Sequence, residues 1–100
     1  MDEDVEMLTR SQTAYSVTYD LRSPGQDYRS LIDRLKELGA IRLLESYWTL
    51  RSAWTAAQIR DDLLAHMDSN DRIMVAGLSG EAAWSNTLVA KHQITQVLAA

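Results

Sequence analysis

The stretch YSVTYDL at residues 15–21, followed by SPG at residues 23–25, decides how the rest of the chain is arranged. Aromatic and β-branched residues alternate with polar ones, and a Pro-Gly pair ends the run, which is typical of a strand that stops at a turn. Successive side chains of a strand point to opposite faces, so the odd-numbered residues share one face. Asp20 therefore ends the strand on the other, polar face, beside a loop. Its carboxylate is the first candidate for a functional group.

The composition is that of one ordinary globular domain: 100 residues, of which 46% are hydrophobic and 24% charged. The chain has no cysteine, which excludes disulfides, thiolate metal sites and a cysteine nucleophile. No apolar run approaches the roughly 18 residues of a membrane span. The acidic N-terminus lacks the basic start and apolar stretch of a signal peptide. We therefore expect a cytoplasmic protein with no membrane partner.

The net charge of −4 is concentrated at the N-terminus. Residues 1–12 contain four acidic residues and one arginine, whereas residues 13–100 contain ten acidic and nine basic residues. We expect residues 1–12 to form a disordered acidic tail, since they are polar and lack periodicity. Residues 13–100 would form a single domain that is nearly neutral. Because nucleic-acid binding is usually driven by a basic surface, this balance argues against it, although a local arginine patch would still allow it.

Residues 28–38 predict an amphipathic helix of about three turns. Its apolar residues recur at helical spacing: Tyr28, Leu31, Ile32, Leu35 and Leu38. Asp27 would cap its N-terminus, and Gly39 stands where a left-handed C-terminal cap is expected. Residues 41–52 then read as extended, but the apolar residues change parity partway. A bulge or tight reversal near residues 44–47 would reconcile the two halves as two short strands or one bent strand.

The second half of the chain predicts a helix, a strand and a final helix. Thr55 and Gln58 fit a capping box ahead of a helix that residues 68–71 end. The continuous apolar run at residues 72–78 is expected of a central strand covered on both faces. From Asn86 onward, the apolar spacing suits a C-terminal helix better than a strand.

The resulting order of strands and helices is βαββαβ with a C-terminal helix. Right-handed crossovers restrict such an order to few topologies, of which the ferredoxin-like α+β sandwich is the commonest. Both internal helices then lie on one face of the sheet. The other face would stay open unless a partner covered it.

Several segments of the chain together carry a resemblance to a known family. YSVTYDL at residues 15–21, a helix that ends at Gly39, and ESYWTL at residues 45–50 resemble small CRISPR-associated proteins of the Cas-two type. A closer resemblance is to bacterial SinR-family proteins, which are grouped with that superfamily. Further blocks carry it: PGQDY at residues 24–28, LESYW at 44–48, QIRD at 58–61 and GEAAW at 80–84.

The resemblance implies a ferredoxin-like homodimer that pairs its subunits through the open face of the sheet. It also implies a nucleic-acid-associated protein and a metal-dependent endonuclease, in which Asp20 would hold Mg²⁺ or Mn²⁺ between the subunits. Tyr19, Glu45 and Ser46 would be accessory residues. Some members of the Cas-two group act instead as scaffolds that bridge DNA and an integrase. The other interpretation is therefore a homodimeric interaction module of the same fold without chemistry.

The candidate site residues also have structural interpretations. Asp20 suits a hard cation such as Mg²⁺, which takes oxygen ligands, but it would equally bond to backbone amides of the turn at residues 23–25. Glu45 would supply a ligand or else pair with Arg42 or Arg51. Asp68 and Asp71 lack the spacing of a calcium loop and favour a solvated turn.

Other chemistry is weakly indicated. His66 and His92 have no ligand or catalytic partner at the right spacing, and no nucleophile elbow, phosphate-binding glycine loop or dinucleotide fingerprint is present. The three tryptophans and four tyrosines would either stack on bases or, as is more common, fill the core or a dimer interface. The arginines are scattered along the sequence.

Overall fold

The computed structural model describes residues 12–22 and 28–98. Seven elements follow one another: strand β1 (Thr13–Asp20), helix α1 (Arg29–Glu37), strands β2 (Ile41–Leu44) and β3 (Tyr47–Ser52), helix α2 (Ala56–Leu64), strand β4 (Arg72–Gly77) and helix α3 (Lys91–Leu98). The four strands form one sheet in the order β2-β3-β1-β4, with every neighbouring pair antiparallel. The chain thus has a ferredoxin-like βαββαβ order with a C-terminal helix, as predicted. The disorder predicted for residues 1–12 concerns residues that, except for Gln12, lie outside the described part of the chain.

Strand β1 lies in the centre of the sheet and supplies one wall of the core. Tyr15, Val17 and Tyr19 are buried on the face that α1 and α2 cover, which we call the helix face. Trp48 lies opposite Val17 on β3, and Val75 lies opposite it on β4. Leu31 and Leu35 of α1 and Ile59 and Leu63 of α2 complete this core. The alternation in residues 15–21 therefore predicted the buried face correctly.

The predicted break between residues 41 and 52 is a tight turn with a register shift. Strands β2 and β3 are joined by Glu45 and Ser46, and their pairing slips between Arg42 and Leu44. Before the slip Ile41 lies opposite Thr49, and after it Leu44 lies opposite Tyr47, so the side chains of each pair share a face of the sheet. Two short strands are thus confirmed.

The helix ends follow local sequence signals. Gly39 has φ +82°, and the Gly39 and Ala40 amides donate to the carbonyls of Lys36 and Leu35, a Schellman motif that ends α1. Thr55 and Gln58 form the predicted capping box of α2. The predicted cap Asp27 lies outside the described residues.

Strand β4 differs from the prediction, because it is an edge strand and is not covered on both faces. It pairs with β1 alone among the described strands. Ile73 and Val75 pack against the core on the helix face, whereas Met74 on the opposite face is 68% exposed. The apolar run was misleading because half of its side chains serve the core and the other half face outward.

The second face of the sheet, opposite the helix face, is partly covered, and the C-terminal helix starts later than predicted. Helix α3 packs on β3 and β2 with Ile94 and Val97 buried. Residues 86–90 are irregular, since Asn86 adopts φ +55° and the Leu88 amide donates to the Leu43 carbonyl at 2.8 Å. The expectation of a wholly open face was therefore wrong. No helix among the described residues is long and apolar enough to cross a membrane.

Candidate functional site

Asp20 stands at the exposed end of β1, on the second face of the sheet. Its side chain is 69% exposed. Asp20 is paired in register with Arg72 of β4, whose guanidinium Nη1 lies 3.9 Å from Asp20 Oδ2 and whose side chain is 67% exposed. An ion pair this long and this exposed holds neither group firmly. The carboxylate therefore remains accessible to solvent or to a ligand.

A shallow depression of about 260 Å³ surrounds this carboxylate. It is lined by Thr18, Tyr19, Asp20, Arg72, Ile73 and Met74. An accessible carboxylate can ligate a divalent cation, and a guanidinium beside it can bind a phosphate through two parallel hydrogen bonds. The alternative in which turn amides bind Asp20 concerns residues 23–25, which lie outside the described part of the chain.

Arg72 is the member of this site that sequence reasoning missed. It follows Asp20 by 52 positions, and only the antiparallel register of β1 and β4 brings the two residues side by side. A single sequence carries no signal for that register beyond the length of the two apolar runs. Knowing the strand order in advance would have placed Arg72 at the same end of the sheet.

The hydroxyl group of Tyr19 lies in the core and is not part of the site around Asp20. The Trp48 indole donates to the Tyr19 hydroxyl oxygen at 2.9 Å inside the protein. The side chains of Tyr19 and Asp20 lie on opposite faces of the sheet, because neighbouring residues of a strand face opposite ways. Tyr19 is therefore a structural residue that holds the end of β1 against the core.

Glu45 and Ser46 form the turn beside the end of β1. The Tyr19 amide donates to the Ser46 carbonyl at 3.3 Å, so the backbone of this turn lies next to the strand that carries Asp20. The Arg42 guanidinium binds the Glu45 main-chain carbonyl, with Nε at 2.9 Å and Nη2 at 2.6 Å. Arg42 thus binds the backbone of Glu45, and the predicted charge pair between the Glu45 carboxylate and Arg42 or Arg51 does not form among the described residues.

Asp71 has a structural role that the sequence did not reveal. Its Oδ1 accepts from the Arg22 amide at 2.7 Å and from the Tyr28 hydroxyl at 2.9 Å, and its Oδ2 accepts from the Asp68 amide at 2.8 Å. Partial burial raises the pKa of Asp71, but these hydrogen bonds and the charge of Arg22 lower it more, so the net pKa lies below the usual 3.8. The turn at residues 68–71 therefore links the end of β1 to the start of α1 through hydrogen bonds to Asp71.

A second charged cluster joins the two helices on the helix face. Arg34 binds Asp62 through two parallel hydrogen bonds, Nε–Oδ1 and Nη2–Oδ2, each 2.7 Å long. The bond from Arg34 is the main cause that holds the pKa of Asp62 below its usual value. Nearby, Ser30 Oγ lies 2.6 Å from His66 Nδ1. These groups satisfy one another and leave no pair directed at a ligand.

Among residues 12–22 and 28–98, Arg42 contacts an aromatic ring, but that ring belongs to the buried Trp48. Trp48 is in the core, Trp54 is exposed near α2, and Trp84 is half-buried on the second face. Several arginines bind acidic side chains or backbone carbonyls of this chain: Arg34, Arg42, Arg51 and Arg60. The part of the chain that the structure describes thus shows no arginine cluster with interleaved aromatic residues.

No family model matches the sequence of this chain, and no solved structure matches it significantly.

Proposed function

We propose that the protein is a Cas-two-like, nucleic-acid-associated homodimer that cleaves phosphodiester bonds with Mg²⁺ or Mn²⁺ held at Asp20. The observation that supports this proposal is the accessible Asp20 carboxylate at the end of the central strand, beside the Arg72 guanidinium. The carboxylate suits the metal, and the guanidinium suits the phosphate.

The proposed metal site would gain a second carboxylate if two copies of the chain contributed to it. Among residues 12–22 and 28–98, no three histidine, cysteine or acidic side chains lie close enough to hold a metal ion together. Mg²⁺ is commonly bound by one or two carboxylates with water completing its shell, and a two-fold axis near Asp20 would supply two carboxylates. Such a metal would activate water and stabilise phosphoryl charge.

The surface around Asp20 is suited to pairing with a second copy. Thr18, Asp20, Arg72 and Met74 lie together on the uncovered part of the second face. Because Arg72 is the neighbour of Asp20 in the same chain, a two-fold axis that brings the two Asp20 carboxylates to one metal would also bring an Arg72 from each copy to that site. Met74, at 68% exposure, would bury its side chain in that contact.

Light scattering should give about twice the 11.3 kDa chain mass for the purified protein. We expect Met74→Asp to shift the dimer toward monomer, because it puts an unpaired charge into the interface. Leu64→Asp is the matched control, since Leu64 is also exposed but lies on α2. A wild-type protein that stays monomeric at high concentration, or equal masses for the two variants, would contradict the proposed interface.

Cleavage of short labelled RNA and DNA, single- and double-stranded, should require Mg²⁺ or Mn²⁺ and should be abolished by Asp20→Asn. Arg72→Gln should reduce the rate by about 100- to 1,000-fold, the range for loss of one electrostatic contact to a transition state. Asp61→Asn, which changes an exposed carboxylate on α2, should cleave like the wild type. Equal cleavage by the wild type and Asp20→Asn would assign the activity to a contaminant and reject the site.

A non-catalytic homodimeric interaction module is the second candidate. It is favoured by the near-neutral charge of residues 13–100 and by Arg72, which already lies beside the Asp20 carboxylate. A stable dimer that cleaves no nucleic acid with either metal would select this candidate. Asp20→Asn would then weaken the dimer, since Asp20 would act through the charge of its partner's Arg72 alone.

A further inference from the structure

A cleft of about 390 Å³ lies on the second face of the sheet, away from Asp20. Its walls are β2 and β3, helix α3 and the irregular segment of residues 78–90, which we call the strap. Most lining side chains are apolar or aromatic, among them Leu43, Tyr47, Trp84, Ile94 and Leu98. This volume and this lining are those of sites that bind small organic molecules.

The strap is fixed to the sheet at both ends. The Leu78 amide donates to the Ala14 carbonyl of β1, and the Leu88 amide donates to the Leu43 carbonyl of β2, each at 2.8 Å. Between these bonds the strap contains no helix or strand, and it turns at Gly80, with φ +101°, and at Asn86, with φ +55°. The turns at Gly80 and Asn86 lie on either side of residues 81–85, which line the cleft.

The hydroxyl group of Thr49 is the unusual feature of this cleft. Thr49 lies on β3, opposite Ser16 of β1, so its side chain points to the second face. It is 1% exposed and lines the cleft. Within the described part of the chain, Thr49 Oγ1 is the buried side-chain oxygen or nitrogen that has no hydrogen-bond partner. A buried hydroxyl without a partner is costly, which is why such groups usually face a ligand or an ordered water.

The charge of the lining restricts the ligand. Glu81 is the charged side chain among the described residues that line the cleft, and it is exposed. None of the described lysines and arginines lines the cleft to offset the charge of Glu81. An anionic ligand would therefore meet repulsion without a compensating partner.

We propose that the cleft binds a small aromatic molecule that has one hydrogen-bonding group and no negative charge. The ring packs against Tyr47, Trp84 and the leucine side chains, and the polar group bonds to Thr49 Oγ1. The inference rests on the cleft alone and is independent of the proposed function at Asp20. It identifies a binding site separate from the depression at the end of β1.

Indole, tryptamine and indole-3-acetate are suitable probes, because they share one ring system and N–H group and differ in the charge of the substituent. In an amide NMR titration of the whole chain, indole and tryptamine should produce saturable shifts confined to β3, the strap and α3. Indole-3-acetate should bind with several-fold lower affinity than indole or tryptamine. In Glu81→Gln the affinity of indole-3-acetate should come closer to that of the other two probes.

Thr49→Val tests the role of the hydroxyl at nearly constant shape. It should weaken indole binding by about three- to tenfold, the range for loss of one neutral hydrogen bond. Without a ligand the variant should unfold at a higher temperature than the wild type, since it no longer buries an unpartnered hydroxyl. Thr18→Val is the matched control: Thr18 lies on the same face of the neighbouring strand but is exposed and outside the cleft, so indole affinity should stay unchanged.

The proposal is overturned if no probe gives saturable shifts at millimolar concentration or if the shifts map outside the cleft. It is equally overturned if Thr49→Val binds indole as tightly as the wild type, or if indole-3-acetate binds as tightly as tryptamine. A lower unfolding temperature for Thr49→Val would show that the hydroxyl already has a partner, which removes the basis of the site. Nuclease activity does not enter any of these outcomes.

Discussion

Replacing Trp48 with alanine is expected to lower the free energy of unfolding by about 3–5 kcal/mol, the usual cost of removing a buried aromatic side chain. Trp48 is 1% exposed and lies opposite Val17 at the centre of the sheet. Its indole donates to Tyr19, and the Arg42 guanidinium lies 5.5 Å from its ring centroid. A domain of this size is stabilised by about 5–15 kcal/mol, so the variant should be partly unfolded at 37 °C. Thermal unfolding followed by circular dichroism measures the effect.

Two comparison variants separate the causes of this loss. Trp54→Ala removes a tryptophan that is 39% exposed and lies outside the core cluster, so it should lower the unfolding free energy by clearly less than Trp48→Ala does. Tyr19→Phe keeps the packing but leaves the buried Trp48 N–H without its acceptor, which should cost about 1–3 kcal/mol. If Trp48→Ala and Trp54→Ala lost the same stability, the central position of Trp48 in the core would be wrong.

The fold could be predicted largely because its signals are local. The alternation in residues 15–21, the glycine at position 39 and the Thr55–Gln58 capping box each need only a few neighbouring residues. The order of the strands and the covering of each sheet face by helices depend on residues that are far apart in the chain. The run at residues 72–78 reads the same whether its strand is central or at an edge, and the position of α3 on the second face depends on packing against β2 and β3. The prediction was therefore right about the elements and wrong about β4 and the open face.

The site residues also divide into those with a local signal in the sequence and those that depend on distant parts of the chain. Asp20 was found because a carboxylate at the end of a strand is visible in the sequence. Arg72 and Thr49 were missed because their relevance comes from register: Arg72 lies beside Asp20, and Thr49 faces a cleft formed by a segment about 30–40 residues downstream. A threonine inside a strand gives no sign that its hydroxyl will be left without a partner. The register of strands that are far apart in the chain cannot be read from a single sequence.

Asp71 brings together three segments of the chain, and its loss should produce the largest destabilisation among substitutions of polar residues. Asp71→Ala removes the acceptor of the Arg22 and Asp68 amides and of the Tyr28 hydroxyl. We expect a lower urea midpoint at pH 7 and faster amide exchange at the end of β1 and the start of α1. Asp61→Ala, at an exposed carboxylate bound to its neighbour Arg60, should leave both unchanged.

The pH dependence of this effect follows from the lowered pKa of Asp71. The unfolded chain takes up the proton near pH 3.8, whereas the folded chain takes it up at lower pH, because burial raises the pKa less than the hydrogen bonds lower it. The stabilisation is therefore complete above pH 3.8 and is lost as the pH falls through the folded value. Urea unfolding of the wild type and of Asp71→Ala should show a difference that is constant near neutral pH and shrinks below pH 3.8. A difference that persisted unchanged in acid would mean that the ionised carboxylate is not what holds the three segments together.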